Sequence, residues 1–315
     1  MSVTLSIKLL TNHQIDKKRW DETIESAQNG IVYGYSWYLD AVFPNWTALV
    51  SEDYTYIFPI TSNRKFGLSY WYSPIYTMQL GLFSSQVITN SIIQQFYNHL
   101  PKNIISYDFS VNTQIQIFPP NFTYKVQTCQ YVDLSNSYNE IKLGYSSNLK
   151  RNLKKAQRAN LFITESKDVS SVVRLFRENR GEKLNNIRES DYLILDTLIR
   201  KCLSTKSGKI FQVYSDNELV ASCFFSFTNK RIIYHKGGVN ENGKHCGAMH
   251  FLLDQLIQKY ALTNWKLDFG GSSIPTVKRF NENFGGKEYT YLQLSKGNKW
   301  IGIGRNLKNS LLKRK

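Results

Sequence analysis

The sequence predicts an α/β (α+β) protein built from two similar halves, each a mixed central sheet flanked by helices. Three observations lead there. The chain has 315 residues, long for a single hydrophobic core, so two domains are expected. Hydrophobic residues make up 42% and aromatics 14%, enough for substantial cores and too apolar for a disordered chain. Segments with helical periodicity alternate with short β-branched and aromatic runs, and their order in the first half returns in the second.

In the first half, residues 3–10 alternate like a strand. A helix begins at Asp16, turns Trp20, Ile24 and Ala27 inward, and stops at Asn29-Gly30. A short helix is expected around residues 36–42. Strands follow at 46–50, 55–60 and 68–72, with polar turns Ser51-Glu52-Asp53 and Ser62-Asn63-Arg64 between them. A helix at 89–100, a strand at 104–109 and a further strand within 122–134 complete this half. The junction is expected near 135–144, giving domains 1–140 and 141–315.

The second half opens on a helix with Leu149, Leu153, Ala156 and Asn160 on one side and Lys150, Arg151, Lys154, Lys155 and Arg158 on the other. A strand at 161–164 and helices at 169–180 and 190–203 come next. Three strands at 210–214, 219–227 and 231–236, joined by short polar turns, read as an antiparallel meander running into Gly237-Gly238. After a loop at 240–244, a helix covers 247–260. A strand at 265–269 ends in Gly270-Gly271. A short helix carrying Val277, Phe280 and Phe284 stops at Gly285-Gly286, and a last strand covers 289–294.

Charge is concentrated. The net charge is +16. Residues 142–210 hold 16 Lys/Arg against 7 Asp/Glu, residues 296–315 hold 7 against none, and the rest of the chain is balanced at 17 of each. Such a field concentrates an anionic partner: a phosphorylated small molecule, RNA or a membrane surface. Solubility and a basic tail are the bland alternative. No apolar run reaches the length of a membrane span, and the first eight residues alternate like a strand without a charged region and apolar block, so no signal peptide is expected. Cys129, Cys202, Cys223 and Cys246 lie far apart without a C-x-x-C pair, so a reducing, cytoplasmic setting is expected. Serine-hydrolase, zincin and P-loop motifs are absent, and His245, Cys246 and His250 lack metal spacing, so no metal is assigned.

Helices, a three-strand meander, a helix, a strand, a short helix and a final strand resemble the GNAT-type acyltransferase order. Two such units in one chain resemble the FemAB-like group, the aminoacyltransferases of peptidoglycan cross-bridges and their relatives. The resemblance rests on the basic run Ser147-Asn148-Leu149-Lys150-Arg151-Asn152-Leu153-Lys154-Lys155-Ala156. It also rests on Leu267-Asp268-Phe269-Gly270-Gly271 followed by Phe280-Asn281-Glu282-Asn283-Phe284-Gly285-Gly286. The chain departs from the group at Asn281, where cross-bridge enzymes have lysine. It departs again at Tyr72-Ser73-Pro74-Ile75, which stands where they have P-R-G-P, and it has no inserted helical hairpin. Fold and broad transferase class thus carry over further than the peptidoglycan substrate.

The resemblance implies two tandem GNAT-like domains and a cleft where strands 231–236 and 265–269 separate. It implies a donor held by Gly237, Gly238, Val239, Lys244, His245, Gly247 and Ala248. Gly247 is the one glycine at the offset of a pyrophosphate loop; an ordinary helix start is the alternative. Asp268 is expected at the cleft, orienting the incoming amine or a cation, with a helix cap as the alternative. Lys278 and Arg279 would neutralise a phosphate or oxyanion, or face solvent. His235 would act as a base, or pack in the core. Arg177, Arg180 and Lys183 cluster at a helix end, where dipole compensation is ordinary. Tyr72, Tyr76 and Gln79 are expected to shape the acceptor pocket. Lys150, Arg151, Lys154 and Arg180 are expected to meet the carrier. The expected activity moves an acyl group from acyl-CoA or aminoacyl-tRNA to an amine, with no tightly bound cofactor and no covalent nucleophile. The alternative is a non-catalytic scaffold that binds RNA or another polyanion, with peripheral membrane contact as a further option.

Overall fold

A β–α–β unit with parallel strands occurs twice along the chain, and everything that positions the candidate site is arranged around it. The structure, a computed structural model, describes residues 4–65, 67–115, 117–179, 181, 187–271 and 275–297. Arg180, Lys183 and the basic tail from 298 onward lie outside these residues. The chain divides into two compact units. Unit 1 draws on 1–36, 43–126 and 291–315, and unit 2 on 37–42 and 127–290.

The first elements are β1 (Ile7–Thr11), α1 (Lys17–Ser26), α2 (Ser36–Val42), β2 (Thr47–Ser51), β3 (Tyr56–Ile60), β4 (Ser62–Lys65) and β5 (Leu68–Tyr72). They are followed by β6 (Phe83–Ser84), α3 (Asn90–Asn98), β7 (Ile104–Ser110) and β8 (Thr123–Asp133). Asp16 starts α1 by accepting from the amides of Lys18 and Arg19, the ordinary way to satisfy open N–H groups of a first turn. Unit 1 holds a sheet ordered β1-β2-β3-β6 and a second ordered β4-β5-β7. Its core gathers Phe58, Trp71, Phe96, Tyr107 and Phe109, with Trp71 stacked on Phe109 at 4.0 Å.

The three strands expected over 46–72 are therefore divided between two sheets. The segment read as a turn at Ser62-Asn63-Arg64 is the strand β4, which forms a hairpin with β5. The change of sheet falls at Thr61, whose buried hydroxyl donates to the Tyr72 carbonyl at 2.7 Å and accepts from the Trp71 indole at 3.1 Å.

The second half runs α4 (Tyr138–Leu143), α5 (Ser147–Arg158), β9 (Phe162–Ser166), α6 (Val169–Asn179), α7 (Glu189–Ser204), β10 (Gly208–Ser215) and β11 (Glu218–Thr228). Then come β12 (Arg231–Val239), α8 (Glu241–Cys246), α9 (Ala248–Tyr260), β13 (Lys266–Gly271), α10 (Pro275–Glu282) and β14 (Lys287–Lys296). The unit 2 sheet is ordered β8-β13-β12-β11-β10-β9. All pairs are antiparallel except β12 with β13. Its core packs Leu149, Leu153, Phe225, Leu252, Leu256, Leu267 and Phe284.

The units do not follow the expected split at residue 140. β8 comes from the first half, yet its residues from Gln127 onward belong to unit 2, where they pair with β13. β14 comes from the second half, yet from Tyr291 onward it belongs to unit 1, where it pairs with β7. Each half thus supplies a closing strand to the other unit. Nothing in local periodicity records which edge a strand pairs with, because alternation reports faces and not neighbours.

Candidate active site

The site begins as a fork between two strands. β12 and β13 pair in parallel through Arg231↔Lys266, Ile232↔Leu267 and Ile233↔Asp268. There the pairing stops, although β12 continues to Val239 and β13 to Gly271. Each strand carries an irregularity just beyond that point, on its outer side. Against β11, Phe225 pairs with Tyr234 and Phe224 with Lys236, leaving His235 as the extra residue. Against β8, Asp268 pairs with Tyr131 and Gly271 with Cys129, which again leaves one extra residue. Gly270 takes it up at φ 64°. A bulge bends the strand that carries it, and two bends on opposite outer edges separate the strands. In the antiparallel ladder of β12 with β11, alternate residues point their N–H and C=O groups away from β11. Along 234–239 those groups face a fork that β13 has left.

Asp268 pins the branch point. Its side chain is 1% exposed. One oxygen accepts from the Gly270 amide at 2.8 Å, holding the bulge. The other accepts from Arg231 at 2.5 Å and from the Tyr289 hydroxyl at 2.6 Å. The Arg231 guanidinium also lies over the Tyr289 ring at 5.2 Å. Burial, and then the Asp268 charge, hold the Tyr289 phenol well above its ordinary range. The same two influences push the Cys129 thiol up to about 12. Asp268 thus ties β12 to β13 at the last paired position, with its oxygens committed to structural partners.

His235 is half-buried. Its Nε2 is 2.8 Å from the Ser226 hydroxyl, and its ring stacks on Phe224 at 5.1 Å. Tyr38, which α2 contributes to unit 2, lies 6.1 Å away. Burial, reinforced by Lys236, lowers the imidazole to about 3, so the ring is neutral at neutral pH and a weak base. Gly237 and Gly238 line the β12 side of the fork, and packing accounts for both. A Cβ on Gly238 would stand 2.0 Å from the Leu175 carbonyl oxygen, and one on Gly237 would stand 2.5 Å from the Cys223 sulfur.

The segment after Val239 differs from the open loop expected there. It forms α8, started by Asn240, whose side chain accepts from the Gly243 amide at 2.7 Å. Lys244 is paired with Glu241 on the surface of α8. The Gly247 amide donates to the Gly243 carbonyl, and Gly247 takes φ 77° at the start of α9, which opens with Ala248. The Asn152 carbonyl of α5 lies against Gly247, 2.9 Å from where a Cβ would be. α5 therefore runs beside the α8–α9 junction. Lys150, Arg151, Lys154, Lys155 and Arg158 on α5 have no acidic partner among the described residues. Lys155 helps burial lower His250, on α9, to about 4.

Lys278 and Arg279 lie on α10. Lys278 pairs with Glu288 at 3.2 Å and Glu282 at 3.8 Å, and Arg279 is exposed. The Phe284-Gly285-Gly286 end of that helix is a packing device. Phe284 is buried against Phe269 and Tyr145, and a Cβ on Gly285 would meet the Gly144 carbonyl at 2.7 Å. Ser146, which caps α5, donates to the Asn283 side chain at 2.6 Å.

Tyr72, Tyr76 and Gln79 belong to unit 1. Tyr72 ends β5, stacks on Tyr70 at 5.6 Å and meets Phe43 edge-on. Tyr76 has φ 64° and Gln79 is buried. Arg231 and Tyr289 escaped the sequence reading, since each opens an expected strand and neither stands in a motif. Among the described residues no group of three His, Cys, Asp or Glu is placed to hold a metal ion. No described helix is long and apolar enough to cross a membrane.

The family described as acetyltransferase (GNAT) domain matches residues 145–282, a span inside unit 2 that contains the whole fork. No curated protein matches the chain by sequence. Among solved structures, FemX superposes with TM-score 0.65 at 10% identity, over 90% of this chain and 96% of that one. L-PGS from Bacillus licheniformis gives 0.56 at 12%, over 94% and 97%. The C-terminal domain of an Agrobacterium fabrum protein assigned as a lysylphosphatidylglycerol synthetase gives 0.56 at 10%, over 93% and 94%. At these identities the likeness is one of fold.

Proposed function

We propose that this chain, which belongs to the GNAT acyltransferase superfamily and has a FemAB-like fold, transfers an acyl or aminoacyl group from an anionic carrier to an amine in the fork between β12 and β13. The observation that carries the reading is the parting of these strands after Ile233 and Asp268, with a bulge on each. Past Ile233 β12 no longer pairs with β13, and backbone N–H groups of residues 237–239 are offered to an acyl carbonyl there. The amine nitrogen attacks the carbonyl carbon, a C–N bond forms, and the C–S or C–O bond to the carrier breaks. The leaving thiol or hydroxyl takes up the proton that the amine gives up. Catalysis of this kind needs orientation and oxyanion stabilisation, with no covalent nucleophile.

Of the two carriers, aminoacyl-tRNA fits the surroundings better than acyl-CoA. Helix α8 uses backbone amides that a pyrophosphate loop would leave open, whereas α5 presents five cations in a row beside α9. The α5 apolar residues Leu149, Leu153 and Ala156 are buried in the core, so this helix has no apolar side to sink into a lipid surface. The names of the lysylphosphatidylglycerol synthetase and L-PGS relatives keep a lipid headgroup open as acceptor.

The test replaces Lys150, Arg151, Lys154 and Lys155 by Gln and titrates the protein with bulk aminoacylated tRNA across a salt series. The reading expects weaker binding and a shallower dependence of log Kd on log salt, by roughly 0.7 for each phosphate that is no longer neutralised. An unchanged slope removes α5 from the carrier site. A thermal shift with acetyl-CoA and none with tRNA would reverse the order of carriers.

A further inference from the structure

The β12 edge of the fork is not bare along its whole length. Beyond the bulge, Gly237 pairs with Cys223, Gly238 with Ser222 and Val239 with Ala221. The Asn240 amide then donates to the Val220 carbonyl at 3.1 Å. In an antiparallel ladder, residues that bond the neighbouring strand alternate with residues whose N–H and C=O groups point the other way. Asn240 bonds β11, so Gly238 does too, and Gly237 and Val239 turn their peptide groups toward the fork. One of those groups is taken. The Asn179 side chain donates from Nδ2 to the Val239 carbonyl at 3.0 Å.

Helix α6 brings Asn179 there as its last residue. The helix lies directly on β12, because a Cβ on Gly238 would stand 2.0 Å from the Leu175 carbonyl oxygen. Lys236, on the same face of the strand as Gly238, sits over the Phe176 ring at 5.7 Å. Asn179 follows Leu175 by about one helical turn and reaches the open side of the strand.

An open strand edge is a template for any extended group that presents N–H and C=O in turn. The two carriers differ in this respect. The pantetheine arm of CoA contains secondary amides, and each N–H needs an acceptor once it leaves water. An aminoacyl-tRNA joins its acyl group to a ribose hydroxyl, with no such amide in the linkage.

We propose that Asn179 is a specificity-determining residue of the fork, closing the Val239 carbonyl to the amide-bearing arm of an acyl-CoA and favouring an ester-linked carrier. This rests on the transferase reading of the same fork. An amide arm that enters must displace Asn179 or leave one of its own N–H groups without an acceptor, and either outcome weakens its binding. The N–H groups of Gly237 and Val239 still face the acyl carbonyl.

The test measures Kd for acetyl-CoA, bulk aminoacylated tRNA and an adenosine bisphosphate that lacks the pantetheine arm, with wild type and with Asn179→Ala. Asn179 is half-buried at a helix end, where truncation to alanine leaves the fold in place. Wild type should bind tRNA more tightly than acetyl-CoA. In the variant the ratio of the acetyl-CoA Kd to the tRNA Kd should fall roughly tenfold, and the bisphosphate should show no gain. An unchanged ratio would overturn the proposal, as would acetyl-CoA that binds neither protein while tRNA binds both. An equal gain with the bisphosphate would trace the effect to the anionic end and overturn it too. So would a wild type that binds acetyl-CoA as tightly as tRNA. If neither protein binds either carrier, the transferase reading itself fails and the proposal falls with it, a result distinct from tRNA binding with an unchanged ratio.

Discussion

Unit 1 and unit 2 contain the same β–α–β arrangement, β5–α3–β7 and β12–α9–β13, and treat its fork in opposite ways. In unit 2 the strands pair over three positions and part. In unit 1 the parallel pairing runs to Tyr72↔Asp108, and the chain then stitches the opening shut with its own backbone. The Ser73 amide donates to the Asp108 carbonyl at 3.1 Å, and the Ser73 hydroxyl accepts from the Ser110 amide at 2.9 Å. The chain loops out through Pro74 and returns at Leu80, whose amide donates to the Ser110 carbonyl at 3.0 Å. Leu80 then resumes parallel pairing with Val111. The edge of β7 that would face an acyl group is satisfied internally. A duplicated scaffold can therefore keep its chemistry in one copy, because the fold requires the parallel pair but not the opening.

The sharpest way to break the contrast is to loosen the open fork at its root. Asp268→Ala leaves Arg231 and the buried Tyr289 hydroxyl without their shared acceptor, and should cost about 3 kcal/mol in urea unfolding. Part of Arg231 is exposed, which holds the figure to the low end. A change below about 1 kcal/mol would mean that the ion pair does not hold the branch point.

Acid should distinguish the units next. His235 and His250, both in unit 2, are lowered to about 3 and about 4, while the unfolded imidazole takes its proton near 6.5. Below about 6.5 the unfolded state binds more protons than the folded one, so unit 2 loses stability as pH falls toward about 4. The loss is at most about 1.4 kcal/mol per histidine per pH unit. Hydrogen exchange followed from about pH 7 to about pH 4.5 should show unit 2 amides losing protection. Constant protection at Leu252 and Leu256 would contradict it.

The smallest effect belongs to the closed fork. Ser73→Ala removes one hydrogen bond to a partly buried amide and should cost about 1 kcal/mol. Protection should drop at Ser110 and stay unchanged along β12. Loss of transfer activity with this variant would place chemistry in the wrong unit.

Much of this contrast was legible in the sequence and part of it was not. Strong periodicity placed α5, α9 and the β10–β11–β12 meander close to their observed limits, because buried apolar sides leave a clear pattern. The glycines at 270, 271, 285 and 286 marked the strand end and the helix stop. Asp268 could be located but not its partners, since Arg231 and Tyr289 are 37 and 21 residues away. Asn240 turned an expected loop into α8 through a single side-chain cap. The exchange of β8 and β14 and the placement of Trp37–Val42 in unit 2 are decisions about neighbours, made by tertiary packing. The stitched fork depended on one serine hydroxyl before Pro74, a signal too small to separate from an ordinary turn.

The most direct measurement is amide hydrogen exchange of the whole chain, with and without acetyl-CoA or bulk aminoacylated tRNA. The account predicts that residues 234–239 of β12 gain protection with the carrier that binds. Ser110 and Leu80, already bonded across the unit 1 fork, should be protected from the start and unaffected. Protection gained at 73–80 and 110, with residues 234–239 unchanged, would contradict it.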